Sequence, residues 1–449
     1  MDWCPVTSRR PLPQDWKIQS GALCDVTEIL ERGGNAADSA VAMAAALNVT
    51  EPMSTGLGGD CYCLFYRASD GAVLGINGSG RTPAALTRSR IPPEGLPPTH
   101  GLTVTVPGAA AGWVDTIEKF GSQQLALSEI LAPAVRLAKN GYKVTPLVSR
   151  LWSKNCQGLP AGTDLLPESS KPPVEGERVT MPNLARTLTE LGEHGKDGFF
   201  KGRVAEAIVA AVKEAGGCLG LVDLAATADD PHFTDMEPVS AKFDGLTVWE
   251  SSANSQGVVA LLALRLLEHH LPRLSGLEHN SPEYVAILTR CFHLAFQQGL
   301  SHVTSDTSTH SLLALLQADS VEHLLHQAIT PLPAIPTSSD TTYITALDAQ
   351  GNACSFINSI FTPFGSKIVP RDCGFALHNR GLFFSLDPRW SPNTYSPRSR
   401  PYHTLTPGLV TQGDGQLVAS LGTMGGFMQP QAHVQVGPSG LYQGWVICK

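Results

Sequence analysis

Two hydroxyl side chains, Thr341 and Ser359, carry the most specific chemical signal in the sequence. They lie in a stretch that reads as two strands, Thr341 to Leu347 and Ala353 to Ser359. Both are rich in β-branched and aromatic residues, and Asp348-Ala349-Gln350-Gly351-Asn352 punctuates them. A three-residue loop, Ala349 to Gly351, suits a tight hairpin, because Gly351 falls where the backbone needs positive φ. That register pairs Asp348 with Asn352 and, counting outward, sets Thr341 opposite Ser359 with Cβ atoms about 5 Å apart. A threonine hydroxyl is a weak nucleophile at neutral pH, and an adjacent amine can take its proton. Inside the chain Thr341 has no free amine, so this chemistry requires prior cleavage between Asp340 and Thr341. Taken by itself, the stretch reads equally as an ordinary threonine-rich hairpin.

The flanking elements must position these hydroxyls. Apolar residues Leu23, Val26, Ile29 and Leu30 form a helical stripe that Gly33-Gly34 closes. Asn35 is a good N-cap for a helix over Ala36 to Asn48, whose seven alanines permit close packing. The Gly-rich loop Glu51 to Asp60 leads into a hairpin, Cys61 to Arg67 and Val73 to Asn77, turning at Ser69-Asp70-Gly71. No Lys-Ser/Thr follows the loop and a strand succeeds it, so it does not read as a phosphate cradle. Alternation puts Cys61 and Cys63 on one strand face, as two reduced core thiols. The middle of the chain reads as helical: Ile130 to Asn140, Asn183 to His194, Arg203 to Ala215, Val258 to His270 and Ser281 to Gly299. His194, His269 and His270 lack carboxylates at ligand spacing and read as surface or capping residues. Pro331 to Pro336 is an extended, Pro-rich connector. A second hairpin turns at Gln412 to Gly415, and its strand Gln416 to Leu421 runs into Gly422-Thr423-Met424-Gly425-Gly426. Backbone N–H groups there, with no Cβ to obstruct approach, suit an oxyanion hole or a plain Gly-rich turn.

A hydrophobic content of 42% and a charged content of 16% describe a well-filled globular protein. A net charge of −8 with no basic cluster argues against a nucleic-acid partner. No stretch of about 18 apolar residues predicts a membrane span, and no basic segment followed by an apolar run predicts a signal peptide. The cytoplasm is therefore the expected compartment, and the sequons at Asn48 and Asn77 carry little weight.

Asp340-Thr341-Thr342-Tyr343, Asp348, Gly351-Asn352 and Pro363-Phe364-Gly365 resemble the autoprocessing junction of γ-glutamyltransferases, a branch of the N-terminal-nucleophile hydrolases. Gly33 to Asp38 with Gly56 to Asp60 resembles the N-terminal signature of that family, Pro107 to Trp113 its loop before a helix, and Gly141 to Val144 its helix exit. The resemblance implies an α+β fold, a four-layer αββα sandwich. It implies a proenzyme that cuts itself into a large subunit, 1–340, and a small subunit, 341–449. Thr341 would be the nucleophile with its own amine as base, Ser359 would orient it, and Gly425 and Gly426 would form the oxyanion hole. No metal or organic cofactor is implied. The implied partners are a small-molecule amide, and water or an amino-acid or peptide acceptor. The resemblance runs to Val436; Gly437 to Lys449 fits nothing in the pattern, which implies an incomplete small subunit.

Several positions depart from the family pattern. The Arg that grips a donor α-carboxylate falls on Ser79, with Arg81 two residues away. Anchoring on Asn379, the Asp that grips the α-amine falls on Phe383 and a Gln position becomes Arg380. The Asn two residues after the second hydroxyl is Phe361, and a paired Ser reads His403, followed by Thr404. An unpaired buried ammonium is costly, so these changes point to an acylase-like branch whose acyl donor is held by Arg380, Arg81, His403, Thr404 and Asn379.

Overall fold

Strand alternation decides the architecture. The computed structural model describes residues 27–305, 307–332, 340–387 and 392–436. In chain order its strands are β1 (Asp60–Arg67), β2 (Ala72–Gly78), β3 (Tyr142–Lys143), β4 (Arg178–Val179), β5 (Asp235–Met236), β6 (Val239–Phe243), β7 (Leu246–Glu250), β8 (Asp340–Leu347), β9 (Ala353–Phe361), β10 (Gly408–Gln412) and β11 (Leu417–Leu421). Along β1, Cys61, Cys63 and Phe65 enter a core shared with helices, while Tyr62, Leu64 and Tyr66 enter a different one. β1 is thus apolar on both faces, as a strand buried between two layers must be.

Two sheets result. One runs β5-β2-β1-β9-β8 and the other β11-β10-β7-β6, with antiparallel neighbours throughout. Three cores stack between four layers. Helices Ala36–Thr50 and Ala109–Phe120 cover the outer face of the first sheet, and Leu127–Asn140 packs on Ala36–Thr50. Tyr62, Leu64, Ile357, Leu405 and Leu409 fill the space between the sheets. Helix Gly257–Glu268 covers the second sheet through Val239, Val248 and Val410, and Pro282–His302 packs on that helix. This is the expected αββα sandwich.

Local signals mostly hold. Asn35 caps the alanine-rich helix in a capping box with Asp38, and Thr27 to Glu31 is helical just before it. The five central helices form at Leu127–Asn140, Pro182–His194, Gly202–Glu214, Gly257–Glu268 and Pro282–His302. Pro107-Gly108 is the only part of its motif outside a helix, since the following helix begins at Ala109. The helical reading of the middle overlooked β6 and β7, half of the second sheet, because short strands between long helices give little periodicity. Cys61 and Cys63 are buried free thiols on the helix-facing side. Asn48 and Asn77, the two sequon residues, are buried. Among the described residues no helix is long and apolar enough to cross a membrane. The leader 1–20, most of the Pro-rich connector and the tail from Gly437 lie outside the described residues.

The chain on either side of Asp340–Thr341 contributes to both sheets. β9 pairs with β1 along seven residues, from Asp60–Ser359 to Tyr66–Ala353, and β10 pairs with β7 from Leu409–Trp249 to Gln412–Leu246.

Candidate active site

The β8–β9 hairpin turns as its loop chemistry dictates. Asp348 N–H donates to the Asn352 carbonyl at 3.1 Å, and Gly351 has φ +85°. From Leu347–Ala353 to Thr342–Asn358 the register is the expected one. At the open end it slips by one: Asp340 pairs with Phe361, so β9 carries an extra residue opposite Thr341. Thr341 and Ser359 are therefore not a ladder pair, yet the bulge still turns their hydroxyls together, Thr341 Oγ1 to Ser359 Oγ at 3.3 Å. Both are buried.

Both hydroxyls also converge on one carbonyl. Ser359 Oγ donates to the Asp340 carbonyl oxygen at 2.6 Å, and Thr341 Oγ1 reaches the same oxygen at 2.7 Å. Ser359 Oγ accepts from Phe361 N–H at 2.9 Å, which fixes its proton toward Asp340. The Asp340 carboxylate accepts from Thr341 N–H at 3.1 Å. Burial raises its pKa, against hydrogen bonds from Ser54 and Thr341. Phe361 is held at φ +75°, a strained conformation for an aromatic residue.

The Gly-rich loop is a spacer. A Cβ on Gly58 would meet the Ala376 carbonyl oxygen at 2.0 Å, and one on Gly59 the Ser359 carbonyl oxygen at 2.2 Å. Only glycine lets this backbone lie directly against β9 and the strand-like Phe375–His378 segment, where His378 N–H donates to the Gly58 carbonyl.

Next to the hydroxyls lies a buried charged cluster centred on Asp60, which aligns with Ser359 across β1 and β9. Asp60 Oδ1 accepts from Gly80 N–H at 3.2 Å and Gly108 N–H at 3.3 Å. Its Oδ2 lies 3.0 Å from His403 Nε2, 3.4 Å from His378 Nδ1 and 3.9 Å from Arg380 Nε. Burial alone would raise the Asp60 pKa, but His378, His403 and Arg380 outweigh it and bring it to about 2. Burial, then the Arg380 charge, pushes His403 down to about 3, and burial lowers His378 as well. At neutral pH Asp60 is the anion, Arg380 the cation and both imidazoles are neutral. His403 Nδ1 accepts from Leu405 N–H at 3.2 Å, so Nε2 carries the proton and donates to Asp60.

Arg380 is fully buried, with its guanidinium carbon 4.8 Å from the Phe361 ring centroid and 5.1 Å from that of Phe383. Its Nη1 donates to Thr404 Oγ1 at 3.1 Å. The Phe361 and Phe383 rings thus cradle this cation.

The five expected donor-holding residues divide. Arg380 and Thr404 touch each other. Both ring nitrogens of His403 are engaged, so it serves as a strut for the segment bearing Thr404. Asn379 donates to Thr362 Oγ1 at 2.9 Å and the Pro98 carbonyl at 3.2 Å, which anchors the 3₁₀ turn Arg380–Phe383. Arg81 is held away from this cluster, on the Arg398 carbonyl at 3.0 Å and near Ser305 Oγ at 3.5 Å. Ser79, the position expected for the gripping Arg, hydrogen-bonds Asn77, Tyr62 and Asn254. Gly425 and Gly426 follow β11 in a turn with φ +120° and +57°, conformations that glycine adopts without strain.

Sequence reasoning missed Asp60 as a charge centre, His378, and the segment Asn254-Ser255-Gln256. For Asp60 the signal was present, a carboxylate closing a glycine-rich loop at the head of an apolar strand; the others carry no local mark.

The family model for gamma-glutamyltranspeptidase matches residues 26–447, past the end that the sequence motifs suggested. The glutathione hydrolase-like YwrD proenzyme of Bacillus subtilis is 35% identical over 417 residues, covering 91% of this chain and 78% of that protein. The oxamate amidohydrolase proenzyme of Klebsiella pneumoniae is 30% identical over 433 residues, covering 93% and 79%. Among solved structures, cephalosporin acylase from Bacillus halodurans superposes with a TM-score of 0.81 at 34% identity, covering 94% of this chain and 79% of that one. The motifs, the paired sheets and these matches agree: this chain belongs to the gamma-glutamyltranspeptidase family of amidohydrolases and acyltransferases.

Proposed function

We propose that this protein is a self-cleaving amide hydrolase in which Thr341 becomes an N-terminal nucleophile. The observation that carries the reading is the convergence of Thr341 Oγ1 and Ser359 Oγ on the Asp340 carbonyl oxygen, at 2.7 and 2.6 Å. In self-cleavage Thr341 Oγ bonds to the Asp340 carbonyl carbon, and Ser359 Oγ–H stabilises the oxyanion that develops. The C–N bond then breaks as the nitrogen takes the hydroxyl proton, leaving an ester. That step frees the Thr341 amine, and water then hydrolyses the ester, which releases the Thr341 hydroxyl and leaves Asp340 with the new carboxylate. In turnover this amine takes the Thr341 hydroxyl proton, the hydroxyl attacks the amide of a small donor, and Gly425 and Gly426 N–H groups hold the oxyanion. Water, or an amino-acid or peptide acceptor, resolves the acyl-enzyme.

The cleaved parts, 1–340 and 341–449, stay together because β1–β9 and β7–β10 pairing crosses the cut. Donor choice follows from the buried charges. Arg380 and Thr404 offer donors to an acyl carboxylate. Asp60 already receives two backbone N–H groups and His403, so no free anion awaits a donor ammonium. A γ-glutamyl donor carries that ammonium and a glutaryl donor does not. Glutaryl p-nitroanilide should therefore be hydrolysed in preference to γ-glutamyl p-nitroanilide, and the names of the amidohydrolase and acylase relatives lean the same way. A denaturing gel with N-terminal sequencing tests the nucleophile: two fragments are expected, the smaller beginning at Thr341. One intact band from purified, folded protein would sink the proposal.

A further inference from the structure

The oxyanion turn and the donor-binding threonine hang from the same side-chain amide. Gln256 Nε2 donates to the Gly426 carbonyl at 2.8 Å and lies 3.1 Å from the Thr404 carbonyl. Gln256 is fully buried, just ahead of helix Gly257–Glu268. Its backbone N–H donates to the His403 carbonyl at 2.9 Å, so main chain and side chain grip successive carbonyls of one segment. Two neighbours reinforce that grip. His403 N–H donates to the Asn254 carbonyl at 2.7 Å, and Ser255 Oγ donates to the Leu405 carbonyl at 2.8 Å. Residues 254–256 thus act as a template for residues 403–405, which Ser255 and His403 join as a parallel bridge.

The Gly425-Gly426 turn needs such a hold. Two successive glycines at positive φ have many alternative conformations of similar energy, and a peptide flip would aim their N–H groups elsewhere. Backbone bonding fixes the Gly425 carbonyl, which accepts from Met428 N–H at 3.0 Å. The Gly426 carbonyl accepts from Gln429 N–H and from Gln256 Nε2, and Gln256 is the side-chain donor that also reaches the Thr404 carbonyl.

We infer that Gln256 is a positioning residue that locks the oxyanion turn in register with the Arg380–Thr404 donor site. This rests on the proposed roles of Thr341, Gly425 and Gly426. Self-cleavage uses the Asp340 carbonyl and Ser359, which Gln256 does not touch, so the amide matters for turnover and not for maturation.

The test compares wild type with Gln256→Met, which keeps the length and loses the donor, and with Gln256→Glu. Wild type is first checked for a fragment beginning at Thr341; an uncut wild type removes the nucleophile assignment and this inference with it. Gln256→Met should still cut itself, and its kcat on glutaryl p-nitroanilide should fall about ten- to a hundredfold, with KM changed much less. In Gln256→Glu only the protonated acid can donate to a carbonyl, and burial raises its pKa. Its kcat relative to wild type should therefore rise as pH falls, which a merely structural defect would not produce. A self-cleaved Gln256→Met with kcat within twofold of wild type would overturn the inference. If Gln256→Met does not accumulate as folded protein, a Gln256→Glu to wild-type ratio that stays flat with pH would overturn it equally.

Discussion

The candidate site has two unlike halves a few residues apart. At the reacting end two hydroxyls, Thr341 and Ser359, converge on the Asp340 carbonyl, and the Asp340 carboxylate accepts from the Thr341 N–H. Beside it, Asp60, His378, Arg380 and His403 form a buried ionic cluster whose Arg380 guanidinium lies against the Phe361 and Phe383 rings. The contrast separates two tasks. Bond-making needs a nucleophile with no charge to desolvate, generated only when its amine is released. Selection needs fixed charge, and low dielectric makes an unmatched donor charge expensive there. The cluster is balanced at neutral pH, one anion against one cation, which lets it be buried at all.

Breaking the reacting half should have the largest effect. Thr341→Ala should leave the chain uncut and lower kcat by at least about 10⁴-fold, read by gel and by anilide release. If cleavage persists, the nucleophile is a neighbour such as Thr342. Ser359→Ala removes the donor to the Asp340 carbonyl and should slow self-cleavage about 10²- to 10³-fold, followed as the time course of fragment appearance. Equal maturation rates in the two proteins would take Ser359 out of the mechanism.

Changes to the charged half should alter choice more than chemistry. Arg380→Met should reduce kcat/KM for glutaryl p-nitroanilide about ten- to a hundredfold, the loss of one charged hydrogen bond, and affect acetyl p-nitroanilide far less. A uniform loss on both donors would show that Arg380 supports the fold and does not read the acyl group.

The smallest effect is on acid stability. His403 titrates near 6.5 when unfolded and about 3 when folded, so below pH 6.5 the unfolded chain binds a proton that the folded one refuses. Folded stability therefore falls as pH drops from 6.5 toward 3. Asp60, lowered from 3.8 to about 2, adds a loss as pH falls through that lower window. Thermal melts between pH 7 and 4 should show Tm falling by a few degrees, and His403→Gln should flatten that limb. An unchanged slope in the variant would remove His403 as its source.

The reacting half was legible in the sequence because it is local. Turn chemistry at Gly351 fixes hairpin register, and register brings residues 18 positions apart together to within a bulge. Helix caps, the two hairpins and the Gly-Gly turn follow from the same short-range rules. The charged half was legible only in part: Arg380 and His403 stood out against the family pattern as donor-holding residues, but their meeting with Asp60 and His378 is a tertiary contact between distant segments. Arg81 shows the limit from the other side: a charge two residues from the expected position is bonded to the Arg398 carbonyl, away from the cluster, while Ser79 is tied into the buried Asn77–Ser79–Asn254 network. Sequence by itself determined the point at which the Thr341 and Ser359 hydroxyls meet. Only tertiary structure decided which charges surround it, because burial and sheet pairing, not spacing along the chain, bring Asp60 to Arg380 and Gln256 to Gly426.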